Sequence, residues 1–294
     1  MHKTKLIPLL EATFAVIVWG GSFIATKIAL QDVSPATIVW VRFAMGVVIL
    51  GAAVAARKQF SFPNRSEWGY FALLGFLGIA FHQWLQSNGL ITSEASTTAW
   101  IVASTPIFMA LLGWLILKEG LNLPKTGGIL LAALGVLLVV SDGDLSAVSI
   151  GEFGAPGDAL ILISSVNWAV FSILSRRGLR KYPAAGMMLW VMLFGWLFSS
   201  ALFFVKAGLP ELAQLTVNGW LAVAFLGIFC SGLAYMAWYD ALQALPAAQT
   251  GAFLYIEPLV TIIVAAVVLA EPITGASLFG GGIILFGVYV VNRE

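Results

Sequence analysis

The chain has 294 residues, of which 60% are hydrophobic and 10% charged, with a formal net charge of +1. An ordinary soluble domain is about a quarter charged, so a water-soluble globule is excluded, and nucleic acid, which is held by clustered Lys and Arg, is not an expected partner. With a mean hydropathy of +0.97, the side chains must face lipid or one another, and the expected fold class is an all-α integral membrane protein.

Taken in chain order, the N-terminal segment "MHKTKLIPLLEATFAVIVWGG" has the basic start and apolar core of a signal peptide. Its apolar stretch continues to about residue 29 without a small-x-small cleavage site, so it reads as a retained first span. A helix needs about 20 apolar residues to cross the hydrocarbon core. Such segments fall near 7–29, 35–56, 67–90, 95–117, 124–140, 157–178, 184–206, 217–242, 247–269 and 273–292, ten in all. Prolines in "VSPA", "FPNRSE", "NLPK", "KYPAA", "GLPEL" and "ALPAA" punctuate them, as suits turns between helices.

Lys and Arg favour the cytoplasmic side of a membrane. With the N-terminus inside, Lys3, Lys5, Arg57, Lys58, Arg65, Lys118, Lys125, Arg176, Arg177, Arg180, Lys181 and Arg293 are all cytoplasmic, twelve of the 15 basic residues. Both termini are therefore expected inside, in the cell (inner) membrane. The lone Cys230 cannot form an intramolecular disulfide and reads as a small buried hydrophobe.

The chain contains a repeat. At an offset of 152, Trp68 meets Trp220, Pro106 meets Pro258, Glu119 meets Glu271, Gly128 meets Gly280 and Gly135 meets Gly287. Earlier in each half the offset is 149, pairing Trp19 with Trp168 and Lys27 with Arg176. Two units are expected, 7–140 holding spans 1–5 and 157–292 holding spans 6–10. An odd number of spans per unit turns the second upside down relative to the first, the inverted-topology plan of many secondary transporters.

The segments ending "KEGLN" and "AEPIT" after their prolines, with "VWGGSFIATKIAL" in span 1 and "WVRFAMG" in span 2, resemble the two EamA-type repeats of the drug/metabolite transporter superfamily. The order of aromatic and polar residues is similar to its aromatic amino-acid exporter branch. The resemblance covers about 7–292. It implies a ten-helix secondary carrier that exports small metabolites through a cavity lined by spans 1, 3, 4, 6, 8 and 9, with spans 5 and 10 peripheral. No cofactor and no metal are expected. One departure is that span 6 has "NWAVF" where span 1 has "VWGGSF", so the halves are not interchangeable around the site.

Within this plan, Pro106 and Pro258 fall near the middle of spans 4 and 9, where each removes an amide and frees the carbonyl four residues back, at Val102 and Leu254. Such a kink is either a packing feature or a hinge with a carbonyl on offer to substrate, and the matched placement favours the hinge. Glu119 and Glu271 end their spans and read as caps at interfaces. Glu257 lies near mid-span, where an ionised carboxylate is costly. Proton coupling, a cation partner and a plain interhelical hydrogen bond are all open to it. Arg42, always charged, reads either as the partner of a substrate carboxylate or as a clamp to Glu257 or a helix end. The clamp is preferred, because span 2 is not expected to line the cavity.

His82 titrates near neutral pH in water, though a lone His among aromatics is more often a packing residue. Its neighbours Gln83, Gln86 and Asn88 make span 3 unusually polar. Trp19, Trp100, Asn167, Trp168, Tyr235, Trp238 and Tyr255 complete the candidate substrate surface, each weighed against core packing or lipid contact. An apolar aromatic site with a few polar groups suits an aromatic or large aliphatic ligand. Lys27 and Glu11 read as anchors or gate pairs. The expected protein is a monomeric exporter of small hydrophobic metabolites, aromatic amino acids foremost. Drugs, purines or sugars are the alternative cargo, and an intramembrane enzyme the alternative class. No HExxH, GxSxG or Asp-rich pair supports an enzyme, and no repeated ring of charge supports a pore. A passive facilitator and a proton antiporter remain equally compatible with the residues.

Overall fold

The computed structural model describes residues 3–117, 122–144, 154–245, 250 and 253–292, and all regular structure among them is helical. In order these are α1 (Lys3–Gly20), α2 (Ser22–Ala29), α3 (Pro35–Ala56), α4 (Trp68–Gly75), α5 (His82–Gly89), α6 (Ala95–Ala103), α7 (Thr105–Leu117) and α8 (Leu123–Val140). There follow α9 (Pro156–Leu179), α10 (Ala184–Lys206), α11 (Val217–Ala224), α12 (Ala234–Ala244), α13 (Ile256–Val268) and α14 (Gly275–Asn292). Glu119 lies outside the described residues.

Seven segments among the described residues are long and apolar enough to cross a membrane: Leu6–Ala29, Pro35–Ala56, Ala95–Leu115, Leu123–Val140, Pro156–Leu179, Ala184–Lys206 and Val217–Ala244. They fall on seven of the ten segments expected from sequence. Residues 68–89 are also helical throughout, but the polar "HQWLQSNG" lowers their hydropathy. Ile256–Val268 and Gly275–Val291 are shorter apolar helices. Large apolar side chains point outward all around the molecule, Val205 at 83% exposure and Val267 at 80%, which suits a hydrocarbon solvent and would not suit water.

Several expected spans are interrupted. α1 and α2 break at Gly21, α6 and α7 at Ser104, and residues 254–255 form a turn just before α13. Between α4 and α5, Phe76–Phe81 is π-helical, and between α11 and α12 so is Phe225–Leu233. Proline explains two of the breaks, since Pro106 and Pro258 each follow theirs by two or three residues.

α8 and α14 pack closely along their length. A Cβ on Gly128 would stand 2.7 Å from the carbonyl oxygen of Gly287, and one on Gly135 would stand 2.6 Å from that of Gly280. The reverse contacts, Gly280 to Gly135 at 2.9 Å and Gly287 to Gly128 at 2.6 Å, are equally close. The two backbones therefore touch, which only glycine allows, and the register runs antiparallel. Elsewhere α1 packs along α12, α9 along α5, and α3 along α10.

Helix starts are capped by acids from distant segments. Glu271 accepts from the Ala95 and Ser96 amides at 2.8 and 3.0 Å and from Ser96 Oγ at 2.8 Å, covering the start of α6. Glu211 accepts from the Ser34 amide at 3.1 Å, from Ser34 Oγ at 2.8 Å and from Thr37 Oγ1, covering the start of α3. Asp158 accepts from the Ala155 amide at 2.9 Å within its own first turn. Lys27 donates to the Ser93 carbonyl at 2.7 Å and stands 3.9 Å from Glu271. At the opposite end Glu67 pairs with Lys181 at 2.8 Å and accepts from the Tyr182 hydroxyl, and Arg57 pairs with Asp240 at 2.6 Å.

Candidate substrate site

The two halves meet through aromatic side chains. Trp19 on α1 stands edge-on to Tyr235, ring centroids 5.5 Å apart, and 5.3 Å from Trp238, both on α12. Trp168 on α9 packs 4.7 Å from His82 of α5 and 5.0 Å from Phe171. Both indoles pack on one continuous core that also holds Tyr235, Trp238 and Cys230. Tyr235 and Trp238 are 3% and 7% exposed, whereas Trp19, Trp168, Tyr255 and Glu257 are only partly buried. The partly buried rings are thus the ones with surface to offer a ligand.

The π-helical segments were invisible to residue-type reasoning, yet they carry a sequence signal. "FLGI" occurs at 76–79 and again at 225–228, an offset of 149 that matches the Trp19–Trp168 pairing, and it opens both π-helical segments. Such segments are frequent at functional sites because they re-aim carbonyls. Here each meets a side chain from the first helix of the opposite half. Asn167 donates to the Leu77 carbonyl at 2.7 Å, and Trp19 Nε1 donates to the Cys230 carbonyl at 3.1 Å.

Arg42 on α3 is 4% exposed. Its Nε donates to Ser231 Oγ at 3.0 Å and its Nη1 to Gln83 Oε1 at 3.1 Å. The expected clamp to Glu257 is not made, because the guanidinium is drawn to the π-helical segment of the second half and to α5. Gln83 is accordingly committed to Arg42, and Asn88 turns back on the Trp84 carbonyl at 2.7 Å. The Gln86 side chain makes no hydrogen bond among the described residues and remains available.

Glu257 sits in the first turn of α13. Its backbone carbonyl accepts from Thr261 Oγ1 at 3.0 Å and lies 2.9 Å from where a Cβ on Gly20 would be, so the peptide is pressed against α1. Its carboxyl group has no hydrogen-bond or ion-pair partner among the described residues. His82 Nδ1 is likewise buried with no partner.

The two carbonyls expected to be freed by proline are both taken. Val102 accepts from Thr105 Oγ1 at 2.6 Å, and Leu254 accepts from the Glu257 amide at 3.2 Å. Freed backbone groups are tolerated in a membrane only when satisfied nearby, and here the chain's own next turn does it. Trp100 also departs from expectation. Its Nε1 donates to Ser277 Oγ at 3.0 Å and its ring covers Gly281, which places it against α14, in a core separate from that of Trp19.

A polar pocket of about 300 Å³ opens at the end of the molecule that carries Glu271, lined by Thr92, Glu94, Ser96, Asp142, Asp158 and Ser277 among others. None of the substrate residues expected from sequence lines it. Burial, then the nearby Glu271 carboxylate, pushes the Glu94 carboxyl up from its ordinary value.

Comparison with known proteins agrees with this architecture. The model of the EamA-like transporter family matches the chain twice, over residues 6–141 and 155–293. An uncharacterized transporter of Archaeoglobus fulgidus is 29% identical over 292 residues, covering 99% of this chain and 98% of the relative. A probable terminal-alkyne amino-acid exporter of Streptantibioticus cattleyicolor is 24% identical over 294 residues, covering 100% and 95%. One crystal structure, at 22% sequence identity, superposes with a TM-score of 0.68 over 98% of this chain and 95% of its own, a likeness of fold. With both family matches together spanning nearly the whole sequence, the chain belongs to the EamA-like transporter family, within the drug/metabolite transporter superfamily.

Proposed function

We propose that this membrane transporter is a ten-helix secondary carrier that exports small hydrophobic metabolites, with aromatic amino acids as its main cargo. Two inverted five-helix repeats, 7–140 and 157–292, rock about a shared central site. The reciprocal glycine contacts support the inversion: Gly128 touches Gly287 while its repeat-mate Gly280 touches Gly135. Such an exchange of partners is what a two-fold axis between antiparallel helices produces. The matched π-helical segments, each held by the first helix of the other half, support it independently.

The cargo reading rests on one observation. Trp19 and Trp168, repeat-mates by sequence, both present partly buried indoles at the junction of the halves, backed by Tyr235, Trp238, His82 and Phe171. Flat aromatic walls with few polar groups select flat apolar ligands. The amino-acid exporter relative is in keeping with this choice. In the cell membrane both termini are cytoplasmic in this reading, and the end bearing Glu271 faces outward. The protein works as a monomer.

The test is counterflow of labelled phenylalanine or tryptophan into liposomes holding the purified protein, at several pH values, beside Trp168→Ala and Glu257→Gln. Saturable uptake that the Trp168 variant loses establishes an aromatic amino-acid carrier. Uptake unchanged by pH and by Glu257→Gln makes it a facilitator. No counterflow by folded protein removes the aromatic cargo.

A further inference from the structure

Arg42 and Glu257 are ionisable groups of opposite sign that nothing in the described structure partners. Arg42 is 4% exposed, and both of its acceptors, Ser231 Oγ and Gln83 Oε1, are neutral. The ion pairs formed among the described residues are Lys27–Glu271, Arg57–Asp240 and Lys181–Glu67, and none includes it. Nη2 of Arg42 makes no hydrogen bond among the described residues. Replacing a guanidinium by a neutral residue would remove a large desolvation cost, so its presence calls for an anion that arrives from elsewhere.

Glu257 has the complementary deficit. Its carboxyl group meets no cation and no donor among the described residues, although it lies in an apolar helix. The two groups are not each other's partners, since no ion pair among the described residues joins them. A short chain of contacts joins them. Glu257 presses on Gly20, whose neighbour Trp19 donates to Cys230, and the next residue, Ser231, accepts from Arg42. The aromatic pair Trp19 and Tyr235 lies along this line.

We propose that Arg42 and Glu257 read a zwitterion, the substrate carboxylate docking on Nη2 of Arg42 and its ammonium on the Glu257 carboxylate, with the side chain laid against Trp19. This rests on the transport reading above and narrows it to free α-amino acids. The ligand supplies both missing partners at once, and a ligand lacking either end leaves one of the two groups unpartnered.

Two readouts test it on the full-length protein: ligand-induced thermal stabilisation in detergent, and counterflow in liposomes. The probes are phenylalanine, phenethylamine, which lacks the carboxylate, and 3-phenylpropionate, which lacks the ammonium. The wild-type protein is expected to prefer phenylalanine over both by tenfold or more. Arg42→Gln should lose phenylalanine and gain relative preference for phenethylamine. Glu257→Gln should shift preference toward 3-phenylpropionate. Arg42→Lys, which keeps the charge but loses the forked geometry, should weaken phenylalanine binding without reversing the preference, and it serves if the Gln variant does not fold. Wild-type protein that binds phenethylamine or 3-phenylpropionate as well as phenylalanine overturns the zwitterion site. So do folded Arg42→Gln and Glu257→Gln proteins with the wild-type order of preference. Phenylalanine stabilisation without counterflow, lost in both Gln variants, upholds the site and overturns the transport of this cargo.

Discussion

Trp19 donates its indole N–H to the backbone carbonyl of Cys230, 3.1 Å away and in the opposite half of the chain. Its counterpart runs the other way, from Asn167 of the second half to the Leu77 carbonyl of the first, at 2.7 Å. Both acceptors lie in π-helical stretches, where the backbone bonding is out of the ordinary register. The two bonds cross-link the halves next to the aromatic side chains and couple any shift of α1 or α9 to a change in the opposite half.

From this pairing, Asn167→Leu should lower thermal stability by about 0.5–2 kcal/mol, as for interhelical polar contacts in membranes, because the Leu77 carbonyl loses its donor. Trp19→Phe should cost a similar amount while keeping the aromatic wall. Both are measured by thermal unfolding in detergent, with counterflow alongside. A Trp19→Phe protein as stable as the wild type would show that the indole ring, and not its N–H, is what matters there.

The α8–α14 contact makes a sharper prediction. Gly135→Leu would drive a side chain into the Gly280 carbonyl and the Ile284 backbone, where a Cβ alone would stand 2.6 and 2.8 Å away. Overpacking of this kind costs about 1–3 kcal/mol or more. Gly127→Ala, on the same helix with nothing within 4 Å of the added Cβ, should be neutral. Melting temperatures of the two variants check the difference, and equal losses would remove the close-packed interface.

Much of this frame was legible before the structure. The predicted 35–56 span coincides with Pro35–Ala56, because a proline at the first helical turn and the basic Arg57 and Lys58 mark both ends. Glu271 reads as an interface cap from its position alone, and it does cap α6. What was not legible depends on long-range geometry. The partner of Arg42 is a serine 189 residues away, which no local pattern encodes. Trp100 reads like any mid-span Trp, and only the small residues Gly281 and Ser277 opposite it decide which way it faces. The π-helical segments cost no special residue type, so their one trace is the repeated "FLGI".

Glu67 gives a pH dependence. The hydrogen bond from Lys181, then that from Tyr182, hold its carboxyl below the ordinary value. A depressed folded value contributes stability in full above the unfolded pKa of about 4.3. That contribution is lost as pH falls through the lower folded value. Glu67→Gln should therefore narrow the gap to wild type in melting temperature between pH 6 and pH 3, and leave the alkaline side parallel. The effect is small, because Lys181 is 52% exposed and solvent screens the pair. An unchanged gap across that window would remove the ion pair as a source of acid sensitivity.

The proline positions offer the most direct probe of rocking. Pro106→Ala restores an amide that can bond the Val102 carbonyl, but Thr105 Oγ1 already holds that carbonyl at 2.6 Å. The break at Ser104 is further fixed by Ser104 Oγ on the Ile101 carbonyl, also at 2.6 Å. Pro106→Ala alone should therefore change little, and Pro106→Ala with Thr105→Val should let α6 and α7 fuse. If the break is a hinge, the double variant loses turnover by about tenfold while its apparent affinity for substrate is kept. If it only accommodates packing, turnover stays within about twofold and the melting temperature alone moves. Pro258→Ala is the matching variant in the second half, where the Leu254 carbonyl is held by the Glu257 amide at 3.2 Å. That weaker backbone contact yields more readily to a restored helical bond. The single Pro258 substitution should thus slow transport where the single Pro106 substitution does not, and steady-state counterflow kinetics on both variants measure the asymmetry.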